Sequence, residues 1–257
     1  MRSAAGPRQG AEGRTGAGPD GYDVPDMATP LPIDALRRSS LFAAMNPESL
    51  ESIARTMKIR KFRRGEVLFH EGDPGDSLFI VVTGSVKVVV PSDEGEEAIL
   101  ATLAGGDSLG ELSLLDGAPR SASAIAVEAV DAFSLPRQTF LSLVATDGAM
   151  RDALLAQLAT ELRRLTTHVA DLHFLDLTGR LAARLVRIAE EDGLKAEDGS
   201  YRLEARITQG DLASMIGATR QSVNKLLGEF AESGLLRLEP DAIVIPDLKR
   251  LLDRARR

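Results

Sequence analysis

At 257 residues the chain has room for one large or two medium domains, each able to bury a core. Its 44% hydrophobic and 27% charged residues are ordinary for a soluble globular protein, and no apolar run nears the ~18 residues that cross a bilayer, so no membrane partner is expected. The absence of cysteine excludes disulfides, cysteine-ligated zinc, iron–sulfur clusters and thiol nucleophiles. The N-terminus has no apolar signal-peptide core, which makes the cytoplasm the expected compartment. The net charge of −7 is unevenly spread: residues 178–257 carry 14 Lys/Arg against 13 Asp/Glu, and residues 1–177 carry 17 against 25. The acidity belongs to the first part, so it does not argue against nucleic-acid binding by the second.

Residues 1–30 hold six Gly and four Pro with few large apolar side chains, the composition of a disordered tail. From Ile33 to Thr56 the pattern is helical, with Leu36, Leu41, Phe42, Met45, Leu50 and Ile53 as expected core. From about Arg60 to Arg137 short β-rich runs follow one another between Gly, Asp and Pro turns: Glu66–His70, Ser77–Val82, Gly84–Val90, Ala98–Ala101, Ser123–Val127 and Ala132–Leu135. Such spacing without intervening helices predicts an antiparallel sandwich or barrel. Val88, Val89 and Val90 break the alternation and leave the inward face of their strand open. Gln138–Ala145 reads as a short helix, and a long one starts near Met150. Along it Leu155, Leu158, Leu162, Leu165, Val169 and Leu172 recur at the steps of a coiled-coil seam, which predicts a helical homodimer interface. Arg151, Glu161, Arg163 and Arg164 lie off that seam, as on a solvated face. Domain boundaries are expected near 31–148, 149–177 and 178–257.

In the last block, Thr208 and Asp211 have the spacing of a capping box. Leu212 and Ile216 give a first helix its buried face, and Gly217 supplies a tight turn. Thr219 caps a second helix whose inner stripe is Val223, Leu226, Leu227 and Phe230. Thr208, Thr219, Arg220, Gln221, Ser222, Asn224 and Lys225 are the expected DNA-facing positions of this helix–turn–helix. Arg suits the O6/N7 edge of guanine and Gln the N6/N7 edge of adenine, while Lys225 suits either guanine or a phosphate. The bland alternative is an ordinary solvated helix. A hairpin turned at Glu239-Pro240-Asp241 and a last helix over Leu248–Arg257 follow.

A second constellation is Gly110-Glu111-Leu112, a short spacer, then Pro119-Arg120-Ser121-Ala122. A helical turn starting at Gly110 and the fork of Arg120 favour an anion, and Glu111 suits a hydroxyl donor; the alternative is a plain salt bridge between Glu111 and Arg120. This motif resembles the phosphate-binding cassette of cyclic-nucleotide-binding domains, and Glu71-Gly-Asp-Pro-Gly-Asp-Ser-Leu-Phe-Ile-Val-Val-Thr-Gly84 resembles that domain's strand-and-turn signature. With the Phe174-Leu-Asp-Leu-Thr-Gly-Arg180 hinge and the helix–turn–helix, residues 33–257 resemble the CRP/FNR family of bacterial regulators.

The resemblance implies an α+β chain: an N-terminal antiparallel β-roll (a double-stranded β-helix or jelly roll), a long dimerisation helix and a C-terminal winged helix–turn–helix. It further implies Glu111 on a ribose 2′-hydroxyl, Arg120 and Ser121 on a cyclic phosphate, and Gly110, Leu112 and Ala122 lining the cradle. The family's adenine-contacting Thr-Ser pair falls on Leu165 and Thr166, so one hydroxyl is missing, with Thr166 or Thr167 left to compensate. Cyclic AMP is the first expectation for the effector, cyclic GMP the second, and loss of nucleotide response the third. No metal is expected. Further implied are a palindromic operator with half-sites roughly 34–36 Å apart and RNA polymerase as a partner. Gln221 stands where the family usually has Glu, which weakens a cytosine contact and moves the operator away from a TGTGA-like half-site. A haem or gas sensor would have only His70, His168 and His173 to use, and a regulatory subunit of an enzyme would not need the helix–turn–helix. No acid–base pair or activated nucleophile points to an enzyme.

Overall fold

The structure, a computed structural model, describes residues 32–92, 96–204 and 207–255. The expected tail over residues 1–30 and the last two residues of the expected final helix lie outside them. Two helices open the fold, α1 (Pro32–Arg38) and α2 (Pro47–Ala54), the second capped by Asn46, whose side chain accepts from the Ser49 amide. The strands β1 (Lys58–Phe62), β2 (Val67–Phe69), β3 (Ser77–Thr83), β4 (Val86–Pro91), β5 (Glu97–Leu103), β6 (Ser108–Leu109), β7 (Ser123–Ala126) and β8 (Val130–Pro136) follow, with helix α3 (Glu111–Asp116) between β6 and β7. They form two antiparallel sheets in the orders β1-β8-β3-β6 and β2-β7-β4-β5, the expected roll.

β3 shows why the roll is stable. Leu78 and Ile80 pack with Leu36, Phe42, Leu135 and Phe140 on the helical side, while Phe79 and Val81 pack with Val86, Ala124 and Ala132 inside the roll. Both faces are covered, so the run is continuously apolar rather than alternating. β1 lies outside the expected strands: Lys-Ile-Arg-Lys-Phe is exposed over its first four residues, as a charged strand at a sheet edge is. The broken alternation at Val88–Val90 has a local cause. The pairing of β4 with β5 shifts register between Val88 and Val89, which places Val89 with Ile99 in the C-terminal domain's core cluster.

Helix α4 (Arg137–Thr146) leads into α5 (Gly148–Phe174), 27 residues long. Leu175 and Asp176 leave the helical conformation, and Asp176 caps α6 (Leu177–Asp192), its side chain accepting from the Gly179 amide at 2.6 Å. α6 runs for 16 residues. The C-terminal domain adds α7 (Gln209–Ile216), α8 (Arg220–Glu232) and α9 (Leu248–Ala255), with β9 (Leu194–Lys195), β10 (Tyr201–Glu204), β11 (Arg237–Glu239) and β12 (Ala242–Ile245) in a sheet ordered β11-β12-β10-β9. α7 lies against β5, and a cavity of about 390 Å³ separates the roll from α6, β10 and α7.

Phe140 is wholly buried where α4 meets the roll. Phe140→Ala is expected to cost about 3–5 kcal/mol by leaving a cavity, read as a lower urea midpoint with an unchanged m-value.

Candidate functional site

Between β5, β6, α3, the segment just before β7 and the inner side of α5 lies a cavity of about 200 Å³. Gly110, Glu111, Leu112, Arg120, Ser121 and Ala122 all line it. Gly110 adopts φ +89°, and a Cβ there would overlap Arg120 Nη1, so only glycine lets the backbone approach the guanidinium this closely. Arg120 is 3% exposed. Its Nη1 donates to the Gly110 carbonyl at 2.6 Å and the Ser113 hydroxyl at 3.0 Å, and its Nη2 donates to the Ser77 carbonyl at 2.6 Å. The guanidinium carbon sits 4.3 Å from the centre of the Phe69 ring, and the carboxylate paired with it is Asp76, at 3.9 Å, rather than Glu111. The Nε of Arg120 is buried without a partner. A buried donor left unpaired beside a cavity suits an incoming acceptor, and a cyclic phosphate is one.

Burial pushes the Glu111 carboxyl above the ordinary carboxylate range. Its own amide and the Arg120 guanidinium pull it down, while Glu161 pushes it further up. Burial also lowers Arg120, against the opposing pull of Asp76, Glu111 and Asp73, and an arginine stays charged regardless. The cradle therefore holds one fixed cation and one carboxylate poised to accept a hydroxyl's hydrogen bond.

From α5 the cavity receives Gln157, Leu158, Glu161, Arg164 and Leu165. Glu161 and Arg164 were expected on a solvated face; they are half-buried, because the side of α5 that begins with buried Met150 and Leu154 continues through them against the roll. Thr166 and Thr167 are not among the lining residues. Both are exposed, and their hydroxyls donate to the Leu162 and Arg163 carbonyls of their own helix, at 2.8 and 3.0 Å. The 100° step per residue that brings Leu165 to the cavity carries the next two residues away from it. On the seam Leu155, Leu162, Leu165, Val169 and Leu172 are exposed, Leu162 by 66%, and Leu158 is half-buried against the roll.

In the C-terminal domain Thr208 and Asp211 form the complete capping box of α7, and Gly217 turns the chain at φ +64°. Thr219 caps α8, its hydroxyl accepting from the Ser222 amide. Val223, Leu226, Leu227 and Phe230 are buried, while Arg220, Gln221, Asn224 and Lys225 are exposed on one outer face. Asn224 accepts from Gln209 at 3.2 Å and Lys225 lies 3.7 Å from Glu229, whereas Arg220 and Gln221 have no partner among the described residues.

Residues 59–147 match the cyclic nucleotide-binding domain family and residues 179–254 the Crp-like helix-turn-helix domain. Over 223 residues the chain is 36% identical to the CRP-like cAMP-activated global transcriptional regulator of Mycobacterium tuberculosis, covering 87% of this chain and 99% of that protein. The chain belongs to the CRP/FNR family of transcriptional regulators. It is also 31% identical to the cyclic AMP receptor protein of Thermus thermophilus over 210 residues, 82% of this chain and 94% of the relative. Among solved structures, a CRP/FNR-family transcriptional regulator of Thermus thermophilus superposes with a TM-score of 0.63 at 28% identity, over 78% of this chain and 99% of that one. A CooA variant from Carboxydothermus hydrogenoformans reaches 0.68 at 27% identity, over 78% and 88%. As a CRP/FNR member the chain pairs a cyclic nucleotide-binding domain with a DNA-binding helix–turn–helix. Among the described residues no helix is long and apolar enough to cross a membrane, and no cluster of potential metal ligands is present.

Because the folded-state pKa of Glu111 is raised, its contribution to stability is present below the unfolded value and lost as pH rises through the folded one. At neutral pH the ligand-free regulator therefore carries a cost that Glu111→Gln removes. The variant is expected to show a higher urea midpoint than wild type at pH 7 and a smaller difference near pH 4.

Proposed function

We propose that this regulator acts as a homodimer controlled by cyclic AMP bound in the β-roll. The observation that carries the ligand reading is Arg120, buried with an unpaired Nε beside a cavity that Glu111 also lines. Glu111 would accept from the ribose 2′-hydroxyl, and Arg120 and Ser121 would hold the cyclic phosphate, with Gly110, Leu112 and Ala122 shaping the cradle. Exposed Leu112 and Leu165 form its open rim, next to the seam. Support for the dimer comes from the exposed stripe of Leu155, Leu162, Leu165, Val169 and Leu172, too much apolar surface on one helix to leave in water. In the dimer, a contact of Thr166 or Thr167 with a base would be made in the cavity of the second copy.

The same dimer sets two α8 helices against successive major grooves of a palindromic operator. Arg220 would read guanine, and Gln221, Asn224 and Lys225 neighbouring bases or phosphates, with Thr208, Thr219 and Ser222 near the backbone. Its further partner is RNA polymerase, and its compartment the cytoplasm. A ligand that favours one placement of these domains must be bound more tightly in that placement. By linkage operator then tightens ligand by the same factor.

Calorimetry with cyclic AMP and cyclic GMP, with and without an operator selected from random DNA, tests this reading. Cyclic AMP is expected to bind more tightly with operator present. Equal constants, or a haem Soret band in the purified protein, would overturn it. Arg120→Ala is expected to remove the heat of nucleotide binding while sedimentation still reports a dimer. Arg220→Ala is expected to cost about 1–3 kcal/mol and relax a single position of each half-site, as read by binding to a panel of substituted operators.

A further inference from the structure

Beside its exposed apolar seam, one residue back along the chain and so about 100° round the helix, α5 carries a second stripe. Met150, Leu154, Gln157, Glu161, Arg164, His168 and Asp171 recur at alternating steps of four and three, and every one of them is buried or half-buried. The first two belong to the core of the roll. From Gln157 onward the stripe is polar and faces first the nucleotide cavity, then the C-terminal domain. Gln157 donates to the Ser108 hydroxyl at 3.3 Å, and its Oε1 is buried without a partner. Arg164 donates to the Leu100 carbonyl at 3.2 Å and pairs with Glu161 at 2.7 Å. Asp171 pairs with Arg187 of α6, both side chains only about one-fifth exposed. Between these rungs sits His168. Burial, then the guanidinium groups of Arg187, Arg184, Arg164 and Arg180, hold its imidazole below the ordinary range, which keeps a further positive charge out of the cluster.

α6 in turn grips α7. Arg180 Nη1 donates to the Ile216 carbonyl at 2.8 Å, the last residue of α7, and Arg184 Nε contacts the Met215 sulfur at 3.1 Å. Arg180, Arg184 and Arg187 lie on one face of α6. The backbone joining α5 to α6 is extended at Leu175 and Asp176, a link that does not by itself fix the angle between the helices. The half-buried Asp171–Arg187 pair crosses that link. It is worth more than an exposed pair, because water screens it less, and breaking one side leaves a poorly solvated charge.

We propose that Asp171 and Arg187 are positioning residues: they brace the DNA-reading domain against the end of the same helix face that walls the nucleotide cavity. A ligand that moves the Gln157–Arg164 end of α5 then moves Asp171, about 21 Å beyond Gln157 along a rigid rod, and with it α6 and α7. The brace rests on the ligand reading above but concerns residues outside the cradle, so the two fail separately.

The test uses the full chain, cyclic AMP and the selected operator. Asp171→Asn and Arg187→Gln are expected to leave the cyclic AMP Kd within about threefold. The ratio of operator affinities with and without cyclic AMP should fall from the roughly 5–150-fold usual for such coupling to under about threefold. The reversed pair Asp171→Arg with Arg187→Asp is expected to restore the ratio, which a general loss of packing would not allow. An unchanged ratio in the single variants, or a reversed pair no better than either, overturns the proposal. Should wild type bind no cyclic AMP, the ligand reading fails and hydrogen exchange decides the brace. Asp171→Asn must then speed amide exchange at the start of α6 and the end of α7, with the reversed pair slowing it again; unaltered exchange in the single variant overturns it.

Discussion

The molecule depends on α5 having two faces that cannot be exchanged. One is an apolar stripe with nothing of its own chain to cover it among the described residues. The other begins in the core of the roll and ends on an ion pair to α6. A helix is stiff over this length, and a side chain's direction is fixed to within a rotamer by its place in the 3.6-residue repeat. Rotating α5 by one residue would expose Met150 and Leu154 and pull Glu161 and Arg164 from the cavity. The register of this one helix thus fixes the cradle's wall, the exposed apolar seam and the approach of the helix–turn–helix domain together.

The cradle itself is a compromise between stability and use. Arg120 is held from three sides by carbonyls and a hydroxyl before any ligand arrives, which pre-organises it and lowers the entropy lost on binding. Its Nε has no partner and Glu111 is held in a site that disfavours its charge. Both are costs to the folded chain, and the proposed ligand, with a phosphate at one end and hydroxyls beside it, would relieve both.

Much of this is legible in advance where the signal is local. The capping box at Thr208 and Asp211, the turn at Gly217 and the inner stripe from Val223 to Phe230 are set by spacing within about twenty residues, and the structure shows them as the spacing predicts. So are the runs that form β3, β4, β7 and β8. β1 escapes because an exposed edge strand has no buried face to produce a pattern. The placement of Glu161 and Arg164 escapes for a related reason: both are charged residues, whose type says solvent while their place on the helix says otherwise. A polar stripe is visible as a succession of steps, but only knowledge of what lies beside it separates it from a solvated face.

The order of the parts, the residues of the cradle and the reading helix, and the unpartnered seam all follow from the amino-acid sequence alone, because caps, turns and periodicity act between neighbours in the chain. Packing in three dimensions was needed to settle which carboxylate meets Arg120, that Thr166 and Thr167 turn away from their own cavity, that Val89 packs against the other domain, and that Asp171 reaches Arg187. Each of these joins residues distant in sequence or selects one direction of a side chain, and such pairings depend on how whole helices and sheets pack rather than on any local preference.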